Sequence, residues 1–203
     1  FSFTLKASEE AHIQKSYPFS AAACWRRDDP PAIGLEQAEE AFARYAGDIG
    51  ARTTVELYES DDCTIYEHSA YARYGPEAQD ADRLIRLSDY NRLRTMLGRD
   101  PVETDGYLVL DMYTGYDNNI ERFKDVQLDL GGQTLRCRGV YEEDVGLGSA
   151  VDEFLVTVVP DAALEGRPAF ADFYCWQFAS ETFDGMALYD ELLEPHSYPN
   201  GLT

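Results

Sequence analysis

Basic residues are scarce in this chain. Its 203 residues hold 17 Lys and Arg against 38 Asp and Glu, a formal net charge of −21. Nucleic acid is therefore excluded as a partner, because holding a phosphate backbone means neutralising it with Lys and Arg. The same deficit argues against lying flat on an anionic membrane. Long hydrophobic runs are missing too. The longest is Phe154–Val159, with a Thr inside it, far short of the ~20 residues a helix needs to cross a bilayer. Histidine is limited to His12, His68 and His196, and the four cysteines, Cys24, Cys63, Cys137 and Cys175, form no CxxC pair. That pattern argues against zinc. It leaves the cysteines either as two disulfides or as four buried thiols behaving like small apolar side chains. No phosphate loop, GxSxG or HExxH occurs, so the sequence offers no ready nucleotide, nucleophile-elbow or metalloprotease signature. Repeats, low-complexity tracts and long linkers are absent as well, and a single domain over 1–203 is expected. The chain opens at Phe1 with no signal-peptide pattern, which reads as a processed chain or a segment of a longer one.

What is present is a core. Hydrophobic residues make up 44% and aromatic residues 13%, including 14 tyrosines, enough apolar surface for a packed interior. The acidic remainder serves solubility, or attracts cationic partners.

Residues 4–16 read as a modestly amphipathic helix stopped by Pro18, and Phe19–Trp25 as a strand ahead of the Asp28-Asp29-Pro30-Pro31 break. Leu35, Ala38, Phe42 and Tyr45 recur at helical spacing over Leu35–Ala46, and Gly47 ends the run. Thr53–Tyr58 alternates as a half-buried strand does, with Thr64–Glu67 a second short candidate and 68–82 a loop. Arg83–Leu87 is a strand by alternation. Then the pattern turns helical: Ser88 suits an N-cap, Asp89 the first turn, and Gly98 the position after the end. Tyr90, Leu93 and Leu97 form its apolar stripe. Downstream the pattern is mostly β: Gly106–Met112, then Val126–Leu130 and Thr134–Tyr141 joined by Gly131-Gly132 as a hairpin, Glu153–Val159, and the aromatic Ala169–Phe178. Thr182–Leu193 reads as a closing helix. The predicted fold is α+β, a mixed, largely antiparallel sheet with packed helices, one near each terminus.

Candidate chemistry is thin. Carboxylates stand in pairs at Asp61/Asp62, Glu142/Glu143/Asp144 and Asp152/Glu153, but a chain with 38 acidic residues generates such pairs by chance. The stretch DNNIE, 117–121, lacks the spacing of a calcium loop and reads as a turn. Tyrosine outside the periodic segments is more informative. Tyr71 and Tyr74 flank Arg73 in one loop, and Tyr113 and Tyr116 follow a buried strand. Tyr beside Gly, Ser and Asn suits ligand binding, since it offers large contact area at low entropic cost; the competing reading is tyrosine half-buried at strand ends. Five arginines, Arg83, Arg86, Arg92, Arg94 and Arg99, crowd RLIRLSDYNRLRTMLGRDPV. They pair with local carboxylates, or form a docking patch for phosphate or a partner.

That stretch, followed by DGYLVL, resembles a helix and strand in the extracellular domains of FtsX-like ABC transporter permeases, closest to the BceB type of Gram-positive bacteria. GGQTLRCRGVYEED is similar to the hairpin of those domains, DEFLVTVVPDAAL to the strand that ends in Val-Pro-Asp, and QKSYPFS to the exit from their membrane helix. The likeness spans about Gln14 to Leu193, without residues 60–82 and 113–122. It implies a non-enzymatic domain between two membrane helices, at the cell membrane on its extracellular face, without a cofactor of its own. A cytoplasmic ATPase subunit, a sensor histidine kinase, and a cationic peptide or lipid-linked ligand are the implied partners, in antimicrobial peptide sensing or export. Residues 4–16 would continue an incoming membrane helix. The alternatives are a free secreted or surface-anchored binding domain and a carboxylate-dependent carbohydrate-active enzyme.

Overall fold

β3, Ile49–Ser60, is the longest strand and organises the molecule. The computed structural model describes residues 2–5, 19–29, 33–60, 65, 82–111, 120–141, 145, 147, 155–180, 183–184, 187–188 and 192. β-Branched residues fill the middle of β3 at Thr53, Thr54 and Val55, and its side chains alternate between two faces. From Ile49 to Leu57 the strand pairs antiparallel with β9, Ala171–Phe178. At its far end, Tyr58–Ser60 pairs with β4, Asp82–Arg86. One strand thus joins two halves of a sheet. Beyond β9 lie β2 (Ala21–Arg26) and β1 (Ser2–Leu5). Beyond β4 lie β8 (Leu155–Val159), β5 (Tyr107–Asp111), β7 (Gln133–Tyr141) and β6 (Gln127–Leu130). The nine-stranded order is β1-β2-β9-β3-β4-β8-β5-β7-β6.

The fold is α+β, as the sequence predicts, but the sheet is mixed rather than largely antiparallel. β4 runs parallel to β8, and β5 parallel to β7. β8 inserts between β4 and β5, parallel to the first and antiparallel to the second. A local sequence pattern gives a strand's length and faces but not its neighbour, so parallel pairing between distant strands is not visible in it.

The hairpin is where it was expected. Leu130 pairs with Gln133 across a two-residue turn, and Gly131 and Gly132 both take positive φ, +59° and +74°, as a two-residue hairpin turn of this twist requires. Gly131 also lies under another segment: a Cβ there would stand 2.6 Å from the carbonyl oxygen of Ala163.

The predicted N-terminal helix over residues 4–16 needs correction at its start. Ser2–Leu5 is a strand whose residues pair with Cys24 to Ala21. Phe3 and Leu5 alternate with Ser2 and Thr4, a period of two that a neighbouring strand can use directly. Residues 6–18 lie outside the described residues. At the other end Ala187, Leu188 and Leu192 are helical, and the rest of the expected closing helix lies outside them.

Among the described residues, two helices flank the sheet over their full length. α1, Leu35–Tyr45, buries Ala38, Ala41 and Phe42; Ala38 and Phe42 belong to the predicted stripe, Ala41 does not, and Leu35 and Tyr45 are half-buried against the same cluster. Its entry is fixed by Gln37, whose side-chain oxygen accepts from the Gly34 N–H at 3.0 Å. α2, Leu87–Met96, buries Asp89, Tyr90 and Leu93.

Among the described residues the core has three clusters. On one face of the outer half, α1 and Leu188 and Leu192 pack on Trp25, Trp176 and Phe178. On the same face of the mixed half, Tyr58, Leu84, Tyr107, Val109 and Leu128 form a second cluster. The opposite face carries the third, running under both halves from Cys175 and Phe173 through Val55 and Leu57 to Ile85, Leu108 and Val156, with Tyr90 and Leu93 of α2.

Candidate functional site

None of the five sequence-predicted ligand contacts, Tyr71, Arg73, Tyr74, Tyr113 and Tyr116, falls among the described residues, and neither do the paired carboxylates at 61–62, 142–144 and 152–153. The end of the DNNIE stretch does: Ile120–Arg122 is a single 3-10 turn. Among the described residues no group of three or more His, Cys, Asp or Glu is placed to hold a metal. Cys24, Cys137 and Cys175 are buried thiols without a disulfide; burial pushes the Cys24 thiol up to about 11 and also raises Cys137 and Cys175. Cys63 lies outside.

What the fold does bring together is a charged seam where the two halves of the sheet meet. The even positions of β3 face the same side as α1, so Glu56 emerges between the two apolar clusters of that face, next to Tyr58, which is buried in the second. Arg27, just past β2, forks onto Asp172 of β9, Nε to Oδ2 at 3.0 Å and Nη2 to Oδ1 at 2.7 Å, and Nη2 reaches Glu56 Oε1 at 2.7 Å. From the other half, Arg86 of β4 donates to Glu56 Oε2 at 2.7 Å and lies over the Tyr58 ring, 5.0 Å from its centre. The Tyr58 hydroxyl donates to the same Oε2 at 2.6 Å. Glu56 is thus the hub: the Tyr58 hydroxyl first, and then Arg27, hold its carboxyl below the usual carboxylate range despite partial burial. Burial and Glu56 push Tyr58 the other way, well up.

Beside the hub, α2 covers the edge of β3. Glu56 and Thr54 turn their outward backbone groups away from β9, and among the described residues no strand pairs there. Instead Asp89 Oδ2 accepts from the Glu56 N–H at 3.1 Å, Arg92 Nη2 donates to the Thr54 carbonyl at 2.9 Å, and the same Arg92 nitrogen donates to Asp89 Oδ1. Two side chains do for this edge what a neighbouring strand would. Burial raises the Asp89 pKa, against the pull of Arg92.

The residues beside Asp89 in Ser88-Asp89-Tyr90-Asn91 (SDYN) have work of their own. Sequence reading expects Ser88 to cap the helix with its hydroxyl. The helix instead starts at Leu87, its N-cap residue is Arg86, and no side-chain cap bond is made from there. The cap comes from far along the chain: Asp161, after β8, accepts from the Ser88 N–H at 3.0 Å, its charge also suiting the helix dipole. Tyr90 is fully buried, and Arg94 donates to its hydroxyl at 3.1 Å. Asn91 closes a two-way bridge with Val102, donating to its carbonyl at 2.9 Å and accepting from its N–H at 2.8 Å.

Of the crowded arginines, Arg83 pairs with Glu59 at 2.8 Å, Arg86 with Glu56 and Arg92 with Asp89, while Arg94 also donates to the Asp100 carbonyl at 2.6 Å. These pairings are the local ones the sequence suggested. Sequence reasoning missed Arg27, Asp172 and Glu56 as members of one network. The Arg crowding pointed at half of it; the other half arrives from strands distant in sequence, with Arg27 and Asp172 themselves 145 residues apart, and no local signal marks it. Chemically the seam is a saturated set of ion pairs that fixes the two halves against each other.

No protein-family description, no curated protein and no solved structure matches the chain.

Proposed function

We propose that the chain is an extracellular recognition and coupling domain of an FtsX-like ABC transporter permease of the BceB type, set between two membrane helices and serving antimicrobial peptide sensing or export. The observation that carries this reading is that the stretches behind the resemblance interlock. Ser88, which opens the helix, is bonded to Asp161 of the Val-Pro-Asp turn, 73 residues away, and the strand before that turn, β8, pairs with β4 of the Arg-rich stretch on one side and with β5 of DGYLVL on the other. Stretches that mark one shared fold need to hold one another; stretches alike by chance have no reason to touch.

The chain ends also suit an insert. Leu5 of β1 pairs with Ala21, and Ala21 shares a core cluster with Leu188 and Leu192, so among the described residues β1 and the helical residues nearest the C-terminus belong to one half of the sheet. Among the described residues no helix is long and apolar enough to cross a membrane; this reading assigns the crossing to flanking parts of a longer protein.

The test uses the full reading frame, tagged within this domain and expressed in intact Gram-positive cells exposed to an external protease. Hydrophobic spans on both sides and loss of the tag are expected. A frame without such spans, or a tag protected in intact cells, overturns the reading. The ligand class has its own test. With a net charge of −21, the domain is expected to bind a cationic antibiotic peptide more tightly than a neutral one of equal length, with the gap closing as salt rises. Equal binding removes the peptide and leaves the permease assignment standing.

A further inference from the structure

The edge of β3 is closed by side chains, and one of them is a carboxylate taken almost wholly out of water. The Asp89 side chain is 4% exposed, while its partner Arg92 is 52% exposed. One Asp89 oxygen holds a backbone N–H of β3; the other holds a guanidinium that in turn holds a β3 carbonyl. We propose that this pair is an acid-sensitive latch: protonation of Asp89 releases Arg92 from the β3 edge while the rest of the fold stays closed.

The charges around Asp89 decide how the latch works. On its own helix Arg92 favours the ionised form, and so does Arg86 from β4. From β3 come the Glu56 N–H, which also favours it, the Glu56 carboxylate, and the Tyr58 hydroxyl that feels the Asp89 charge. Arg86 is committed to Glu56 at 2.7 Å and Glu56 to Arg27 and Tyr58, so neither is free to replace Arg92. Asp161 adds a second carboxylate at the start of the helix, held by the Ser88 N–H. Burial outweighs these attractions and raises the Asp89 pKa, so Asp89 takes its proton before exposed carboxylates do.

The consequences of protonation differ for the two halves of the latch. A neutral carboxyl still offers an oxygen to the Glu56 N–H, in a weaker bond. Arg92 loses its ion pair and keeps one bond to a neutral carbonyl, on a side chain already half in water. Meanwhile the buried apolar contacts of Tyr90 and Leu93 and the Asn91 bridge carry no titrating group at the contact, so α2 stays in place. The latch is independent of whether the chain serves a permease.

Nuclear magnetic resonance of the 203-residue chain tests it, following the Asp89 carboxyl, the Arg92 guanidinium and amide exchange at Glu56 between pH 7.5 and 4.5. The expected result is a single step shared by Asp89 and Arg92, with exchange at Glu56, corrected for the intrinsic pH effect, rising about tenfold across it, and with circular dichroism unchanged. In Asp89→Asn the Arg92 signal is expected to sit at its released value at every pH. Should that variant not fold, Arg92→Gln serves instead: the Asp89 midpoint is expected to move up, because an attraction that favours the carboxylate has gone. An Arg92 signal that never changes before unfolding overturns the latch. So does a step that persists in Asp89→Asn, or an Asp89 midpoint unmoved in Arg92→Gln.

Discussion

The two helices lie against the same sheet and are held by different physics. α1 is an apolar stripe on an aromatic floor: Phe42 meets Trp176 at 5.0 Å and Phe178 at 5.2 Å between ring centres, and Ala38 and Ala41 let the helix approach closely. Glu39 adds a polar tie to that floor, accepting from the Trp176 indole at 3.0 Å and from Arg52 at 2.6 Å. α2 also buries a stripe, Tyr90 and Leu93, but it adds polar bonds to three separate parts of the chain: the β3 edge, the turn after β8 and the Val102 segment. An apolar face tells a helix which side to bury and tolerates sliding. Bonds to particular backbone groups tell it where to stop, and α2 sits where the two halves of the sheet meet and register matters most.

The comparison predicts unequal losses on truncation. Phe42→Ala is expected to have the largest effect, about 3–5 kcal/mol of unfolding free energy, since it empties the fully buried centre of the α1 contact. Leu93→Ala, the equivalent cut under α2, is expected at about 2–4 kcal/mol. Urea unfolding with an unchanged slope checks both. If Leu93→Ala proves the larger, α2 depends on apolar contact more than α1 does and the contrast fails.

Asp89→Ala comes next, at about 1–3 kcal/mol, the range for leaving a buried donor without an acceptor. It strands the Glu56 N–H and frees Arg92 together. A loss below about 0.5 kcal/mol, the lower end for an ordinary hydrogen bond, would mean that water or a small shift closes the edge without it.

Acid separates the two carboxylates of the seam by sign. The folded pKa of Glu56 is lowered, so its contribution is present above its unfolded value and is lost as pH falls through the folded one. The folded pKa of Asp89 is raised, so its contribution is present below its unfolded value and is lost as pH rises through the folded one. Relative to wild type, Glu56→Gln is therefore expected to narrow its stability deficit on acidification, and Asp89→Asn to widen it. Thermal melts across pH 7.5 to 4 check the signs; parallel curves for both variants would contradict them.

How much of this was legible in the sequence follows from the same contrast. α1, the Gly131-Gly132 hairpin and the strand positions were readable because periodicity and turn chemistry are local. The start of the chain was not: a short Phe3, Leu5 alternation became a strand only because Ala21–Cys24 lay beside it. Parallel pairing, the Arg27–Asp172–Glu56 network and the use of Asp89 as an edge cover all join residues far apart in sequence, where one chain read alone carries no distance information. The SDYN letters were visible as a motif, and their separate partners were not. The predicted tyrosine contacts fall outside the described residues, and of the seam's charges only Arg86 stands in the Arg-rich stretch that drew notice in the sequence.

Ser88 is the sharpest case, and the smallest effect. Read locally, a serine opening an apolar periodic run is a hydroxyl cap, and replacing such a cap with alanine typically costs about 1 kcal/mol. In the fold the serine contributes its backbone N–H, which alanine keeps, and the capping carboxylate belongs to Asp161. Ser88→Ala is thus expected to change stability by no more than about 0.5 kcal/mol, as substitutions away from specific features do, whereas Asp161→Ala is expected to cost about 1 kcal/mol as a lost cap. The double variant separates the two accounts. If Asp161 alone is the cap, the double variant costs what Asp161→Ala costs, because Ser88→Ala adds nothing. If the hydroxyl also caps, removing both exposes the helix end further and the double variant loses more than Asp161→Ala alone. Chemical unfolding of the three variants beside wild type decides it: a Ser88→Ala loss as large as that of Asp161→Ala would return the cap to the residue that the sequence suggests and take it from the distant turn.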